Sequence, residues 1–334
     1  MMKKSLIAAA VAAAVTAPAA HAVEFELGDD TKFAIEGTVE PAYVSTKDAT
    51  GDSQSELEDN DSTLQFTGEH AFGAGTTGFF HLEYEYDANE AGGGLNSTDS
   101  AWMGLEGGFG MIRTGSYDTL LENNLHELID PFEYASVSEE ADGGEGDQIT
   151  YMSPSFGGFQ VGLEARHQGD GESSNFGGDG GDAGDAGTGV SAVARYSADN
   201  WGVVAGTDSR GAVLVDLDGD GDNDEYDDEP TTGFGGWFDI GPVHLAARYA
   251  TESNRGSNND VEYAGAGASY SYGPGDIHLV VQDVSPDQGS SFTEVGLGVM
   301  HGLYDNLSLF AEVGRFDRRN DAGDVTAVGA IYEF

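Results

Sequence analysis

The sequence predicts an all-β chain, a 16-stranded antiparallel transmembrane β-barrel with short periplasmic turns and long external loops. Three observations predict it. Apolar residues recur at every second position through most of the chain. Short turns alternate with long acidic loops. A leader of the secretory type precedes both.

Composition narrows the field. The chain has 334 residues, with 60 Asp and Glu against 13 Lys and Arg, a formal net charge of −47, 51 glycines and no cysteine. Such a charge repels nucleic-acid phosphates and excludes a DNA- or RNA-binding role. Zero cysteine excludes a disulfide scaffold, thiolate metal sites and cysteine nucleophiles. An aromatic share of 10% argues for a folded chain rather than a disordered acidic one.

Residues 1–22 read as a signal peptide ahead of one barrel domain, 23–334. Lys3 and Lys4 give the positive start, and Ala20-His21-Ala22 the small-x-small cleavage pattern. Leu6–Val15 is apolar but too short to span a bilayer as a helix. Only Lys32 and Lys47 remain as lysines beyond this leader. An exported chain without a spanning helix is either soluble or crosses a membrane as a closed barrel.

The strands follow from a period of two. Phe80, Leu82, Tyr84 and Tyr86 alternate with His81, Glu83 and Glu85. Phe159, Val161, Leu163 and Ala165 alternate with Gln160, Gly162, Glu164 and Arg166. The windows Val243–Tyr249 and Leu307–Val313 repeat the pattern, and the chain ends on Val328, Ala330, Tyr332 and Phe334 against Gly329, Ile331 and Glu333.

Short turns fall at Phe72–Thr76, Gly107–Gly110, Pro154–Gly158, Asp199–Asn200, Ile240–Pro242, Gly273–Gly275 and Gly302–Asn306. Between them lie Thr46–Asn60, Ala88–Ser97, Tyr117–Asp147, Gly169–Gly187, Gly211–Pro230, Ser253–Asp260, Ser285–Ser291 and Asp317–Ala322, which are long and acidic or glycine-rich. Strict alternation of the two kinds puts all the long loops at one end. A soluble sandwich has no reason for that, whereas a transmembrane barrel does. The apolar face then meets lipid, the polar alternates line a wet lumen, and 16 strands leave an aqueous channel. Tyr43, Phe80, Tyr84, Tyr86, Tyr196, Trp201, Tyr249 and Tyr332 are the expected interface aromatics.

Several short segments then line up in order: Ile35-Glu36-Gly37-Thr38-Val39, Leu64-Gln65-Phe66-Thr67-Gly68-Glu69, Ala101-Trp102-Met103-Gly104-Leu105-Glu106-Gly107-Gly108-Phe109-Gly110, Tyr151–Phe159 and the terminal Tyr332-Glu333-Phe334. With these the chain resembles the general trimeric porins of Gram-negative outer membranes. The resemblance implies a homotrimer in contact with outer-membrane lipid and lipopolysaccharide. It also implies an inward-folded third loop that constricts the lumen, and a terminal Tyr332 and Phe334 read by the barrel-assembly machinery.

The residues of that loop point the same way. Tyr117–Asp147 is the longest connection and carries Leu120, Leu121, Leu125, Leu128, Ile129 and Phe132. A solvated outer loop gains nothing from these, whereas a loop docked inside a barrel needs them. Leu121–Ile129 is expected to make a short helical turn. Asp130 and Glu133, flanking Pro131-Phe132, are the expected negative wall of the constriction, with Glu139, Glu140 and Asp142 beside them.

The opposite wall departs from the family, which places a basic cluster there. The matching pore-wall positions here are Thr38, Thr63 and Ser116. Arg166, Arg195 and Arg248 have lumen parity on later strands and are candidates for a partial basic wall; the parity of Arg113 is undecided. A constriction dominated by carboxylates favours cations.

Asp216, Asp218, Asp220, Asp222 and Asp224 follow the DxDxDG spacing of a calcium loop, with Gly221 at the turn, but position twelve is Asp227 instead of a bidentate Glu. Ca2+ in this external loop is therefore an option beside a plain acidic loop, and no cofactor is required. Histidines do not cluster at metal spacing, and no catalytic motif occurs. Three functions fit: a cation-preferring diffusion channel for small hydrophilic solutes, a substrate-selective porin using groups such as Trp237 or Phe238, and a calcium-binding surface or adhesion barrel.

Overall fold

The computed structural model describes residues 23–90, 94–139, 146–167, 188–209, 212–215, 224–227, 230–253, 260–318 and 321–334. The leader 1–22 lies outside them, as do Glu140 and Asp142 of the third long loop and positions 216, 218, 220 and 222 of the candidate calcium loop.

One antiparallel sheet closes on itself. Its strands are β1 (Val23–Glu26), β2 (Thr31–Val39), β3 (Pro41–Lys47), β4 (Ser53–Asp59), β5 (Thr63–Gly73), β6 (Thr76–Tyr86), β7 (Leu95–Gly107), β8 (Gly110–Ser116), β9 (Gln148–Met152), β10 (Phe159–His167), β11 (Thr188–Ser197) and β12 (Trp201–Ser209). After the separate hairpin β13 (Ala212–Val215) and β14 (Asp224–Asp227) come β15 (Thr231–Ile240), β16 (Val243–Glu252), β17 (Val261–Ser271), β18 (Gly275–Pro286), β19 (Phe292–Tyr304), β20 (Leu307–Phe316) and β21 (Val325–Glu333).

These segments make 16 barrel strands, because β2 with β3, β4 with β5, and β21 with β1 are each one strand in two pieces. Closure comes from β21, which pairs with both β2 and β3. Phe334 and Gly37 exchange backbone hydrogen bonds of 3.0 and 3.1 Å, and Val23 sits opposite Ile35. Val23–Glu26 and Val325–Phe334 therefore share one strand, separated by the single position opposite Glu36.

The outward face is apolar, as the period of two requires. Ile277, Leu279 and Val281 of β18 are exposed, while His278, Val280, Gln282 and Val284 point inward and are buried. Phe80, Met103, Leu163, Phe234, Leu245, Leu309 and Val328 continue this exposed belt. The apolar core lies inside the barrel, between the third long loop and the wall.

Two expected loops contain strands. Within Thr46–Asn60 the chain pairs as the β3–β4 hairpin, and within Gly211–Pro230 as β13–β14. Glu56, Glu58 and Asp59 put acid on both faces of β4, so no apolar alternation marks it.

Candidate pore constriction

The connection from β8 to β9 turns into the barrel. Tyr117, Leu120, Leu121, Leu125, Ile129, Ala135 and Val137 are all buried there. The expected helical turn is present as α1 (Glu122–Leu125), continued by a 3-10 turn at His126–Leu128. The side-chain amides of Asn123 and Asn124 donate back to the Thr119 and Leu120 carbonyls and tighten its start.

Docking rests on inward-facing glycines. Leu120 lies over Gly162 of β10, Leu121 over Gly206 of β12, Leu125 over Gly233 and Gly235 of β15, Ile129 over Gly265 and Gly267 of β17, and Phe132 over Gly296 and Gly298 of β19. A Cβ at 206 would meet Leu121 at 3.0 Å and one at 235 would meet Leu128 at 2.6 Å. The wall is thus hollowed along the path of the loop, and the loop's apolar residues fill the hollow at interior density. Burying each of the larger ones contributes about 1.5–3 kcal/mol.

Wall carboxylates pin the far end. Glu312 of β20 accepts the backbone N–H groups of Glu133, Tyr134 and Ala135 at 3.0, 2.8 and 3.0 Å. Glu294 of β19 accepts the Ser138 N–H at 2.7 Å and its hydroxyl at 2.8 Å, and pairs with Arg318. The Ser138 carbonyl in turn accepts from Arg248 at 2.9 Å and Gln282 at 2.6 Å.

The arginines expected on the basic wall are therefore otherwise engaged. Arg248 is buried beneath the loop and bonds Gln282 as well as Ser138. Arg166, 2% exposed, lies between Glu164 at 2.7 Å and Asp208. Arg195 is half-buried and donates to Ser197 at 3.4 Å. Wall carboxylates pair with Arg166, and a loop carbonyl and a wall amide occupy the donors of Arg248, which the spacing of bases alone does not reveal. Ser116 is also corrected: it pairs with Ala101, on the outward face with Leu82. Phe238 likewise faces outward and is exposed, whereas its neighbour Trp237 packs inside.

Thr38 and Thr63 do line the lumen, joined by a hydroxyl contact of 3.3 Å. Arg113 faces inward too. Its guanidinium lies 3.6 Å above the Tyr117 ring and 5.6 Å from Trp102, a cation–π arrangement that fastens the base at the loop's root. Trp102 also stacks on His81, whose Nε2 is 3.1 Å from Glu83.

The loop acids divide by environment. Asp130 is buried and sits 3.2 Å from His126, so it is a structural partner more than an open wall. Glu139 stays exposed, 4.0 Å from the same histidine. Burial pushes Glu127 up to about 7, with the charges of Asp130, Asp118 and Glu139 adding to the effect and His126 opposing it. Burial also raises Glu133, despite a hydrogen bond from Asn60, and the charges of Glu312, Asp61 and Asp130 push the same way. Glu133 lines a lumen cavity of about 650 Å³ together with Thr38, Glu40, Pro131, Asp276 and His278. Asp224, the last member of the candidate calcium loop, has its backbone paired with Val215 at the head of β14.

Comparison with known proteins now decides the family. The profile of the Gram-negative porins matches residues 8–321. The chain belongs to the Gram-negative porin family. This porin is 30% identical, over the full length of both chains, to a monosaccharide porin of a Halomonas species and to the major outer membrane protein of Halomonas elongata. Among solved structures, an anion-selective porin from Comamonas acidovorans has a similar fold, with a TM-score of 0.73 at 19% identity over 91% of this chain and 100% of that one. OmpF of Salmonella typhi is similar at a TM-score of 0.69, with 20% identity over 93% of this chain and 100% of that one. The protein is an outer-membrane porin channel, and its family and fold are those of channels, not enzymes.

Proposed function

We propose that this porin passes small hydrophilic solutes and ions by diffusion through a water-filled lumen and prefers cations. The observation that carries this reading is the sign of the charge on both sides of the constriction. On the wall, Asp99 lies within the field of Glu83 and Glu85 and of Asp118 at the root of the loop. Glu133 faces Glu40 across one shared amide. Arg113, the facing wall's base near the loop, is held against aromatic rings. Carboxylates on both sides favour cations. The Comamonas porin has a similar fold and is anion-selective, so the side chains and not the barrel set the sign. In a salt gradient across a planar bilayer the zero-current potential is expected to favour potassium; one favouring chloride overturns the reading.

The monosaccharide porin among the relatives favours a second reading, a lumen that selects sugars. Liposome swelling with sugars of graded size separates the two: rates falling smoothly with size support diffusion, and one sugar entering out of order supports selection.

We further propose a homotrimer in outer-membrane lipid and lipopolysaccharide, with Tyr332 and Phe334 presented to the assembly machinery. Removal of residues 1–22 is supported by their sequence, a positive start, a short apolar run and Ala20-His21-Ala22. N-terminal sequencing of the outer-membrane form is expected to start at Val23. Calcium in the external loop is tested by calorimetry on the whole protein, where heat lost on replacing Asp216, Asp218 and Asp220 supports it and no heat at millimolar calcium ends it.

A further inference from the structure

Beside the constriction, both neighbouring strands break at the same level. The register between β2 and β5 pairs Gly37 with Leu64, whereas that between β3 and β4 pairs Pro41 with Asp59, so the second strand carries one extra residue. This is a β-bulge at Asn60–Ser62, with Asp61 in the left-handed region at φ 53°. Bulges re-aim side chains, and a non-glycine residue at positive φ persists only where its surroundings hold it. Here they do. The Asn60 N–H donates to the Glu40 carbonyl at 2.8 Å, the Glu40 N–H to the Ser62 hydroxyl at 2.9 Å, and Ser62 donates twice to the Asp59 carboxylate, at 2.8 and 2.6 Å.

The bulge turns the Asn60 side chain inward. Its amide nitrogen donates to Glu40 Oε2 at 2.9 Å and to Glu133 Oε2 at 2.7 Å. Both neighbours are carboxylates, which accept only, so the amide can face them in one orientation. Glu40 belongs to the wall and Glu133 to the loop, and both line the same lumen cavity. We propose that Asn60 is a specificity-determining residue of the channel: by giving one N–H to each, it holds a wall carboxylate and a loop carboxylate side by side at the constriction and favours their charged forms.

The alternative state is a protonated Glu133. Two carboxylates sharing a site repel, and one takes up a proton unless donors compensate. The charges acting on Glu133 are acidic, from Glu40 between β2 and β3, Asp61 in the bulge, Asp130 on its own loop and Glu312 on β20, and His278 lines the same cavity. Of the contacts acting on Glu133, the Asn60 amide favours the charged form, while burial and these acids oppose it.

This inference rests on the cation-preferring reading above. The test is the potassium-to-chloride permeability ratio of the parent channel, Asn60→Leu, Glu133→Gln and the double variant, at pH 7 and pH 9. Relative to the parent, Asn60→Leu should lower the ratio up to about sevenfold at pH 7, because one carboxylate about 7 Å from the ion's path in water attracts the cation and repels the anion by a Boltzmann factor of roughly 2.7 each. Raising the pH to 9 favours the ionised form of Glu133, so the ratio should move back towards the parent's. In the Glu133→Gln background Asn60→Leu should lower the ratio less, since only Glu40 is left to lose its hydrogen bond. A ratio unchanged at pH 7, or lowered equally at both pH values as a merely misplaced loop would give, overturns the role of Asn60. A parent channel preferring chloride overturns instead the reading on which it rests.

Discussion

Phe132 occupies the space that a side chain on Gly296 would need. The loop and the wall are thus cut to each other, one residue at a time.

Gly296→Val should push Phe132 and the loop away from the wall into the lumen. Overpacking of this kind costs about 1–3 kcal/mol. The barrel should still form, single-channel conductance should fall, and Gly296→Ala should shift it less in the same direction. Unchanged conductance in the valine variant would show that the loop is not seated there.

Glu312→Ala removes the acceptor for three backbone N–H groups at the loop's end. Hydrogen bonds to a charged group are worth about 1.5–3 kcal/mol each, so the tip should come loose. Open-channel current noise should rise, and Glu312→Gln, which keeps one acceptor oxygen, should fall between.

Arg166→Met leaves Glu164 and Asp208 buried without their cation. Breaking a buried pair from one side costs about 3–5 kcal/mol. The unfolding temperature, followed by gel mobility, should drop, while ion selectivity should hold because Arg166 does not face open water.

Glu127 supplies a pH dependence. Its carboxyl, pushed up to about 7 by burial, is ionised above that value and neutral below it. Negative charge is therefore lost as pH falls, and cation preference should decline from pH 8 to pH 6. Glu127→Gln should flatten that decline, as read from zero-current potentials.

The barrel was legible because alternation and loop length are local properties: Phe80 to Tyr86 shows its outward face without any partner. The docking of the third loop was half legible. Leu120 to Phe132 announced a buried surface, but the receiving surface is made of absences, glycines at inward positions on β10, β12, β15, β17 and β19. Counting glycines by parity would have found it. The fates of Arg166 and Arg248 were not legible, since what neutralises Arg166 at Asp208 lies on a strand 42 residues away, and what occupies Arg248 at Ser138 is a loop carbonyl 110 residues away. Asn60 was hidden for a similar reason. Only a register shift between paired strands shows the bulge that aims it.

The strand shared by Val23–Glu26 and Val325–Phe334 makes the barrel a ring with one nick. Val325–Phe334 seal the wall against β2 and β3, and Phe334 bonds to Gly37 at the end of that seam. One edge of β2 is therefore shared between a neighbour just upstream, β1, and a partner some three hundred residues downstream, β21.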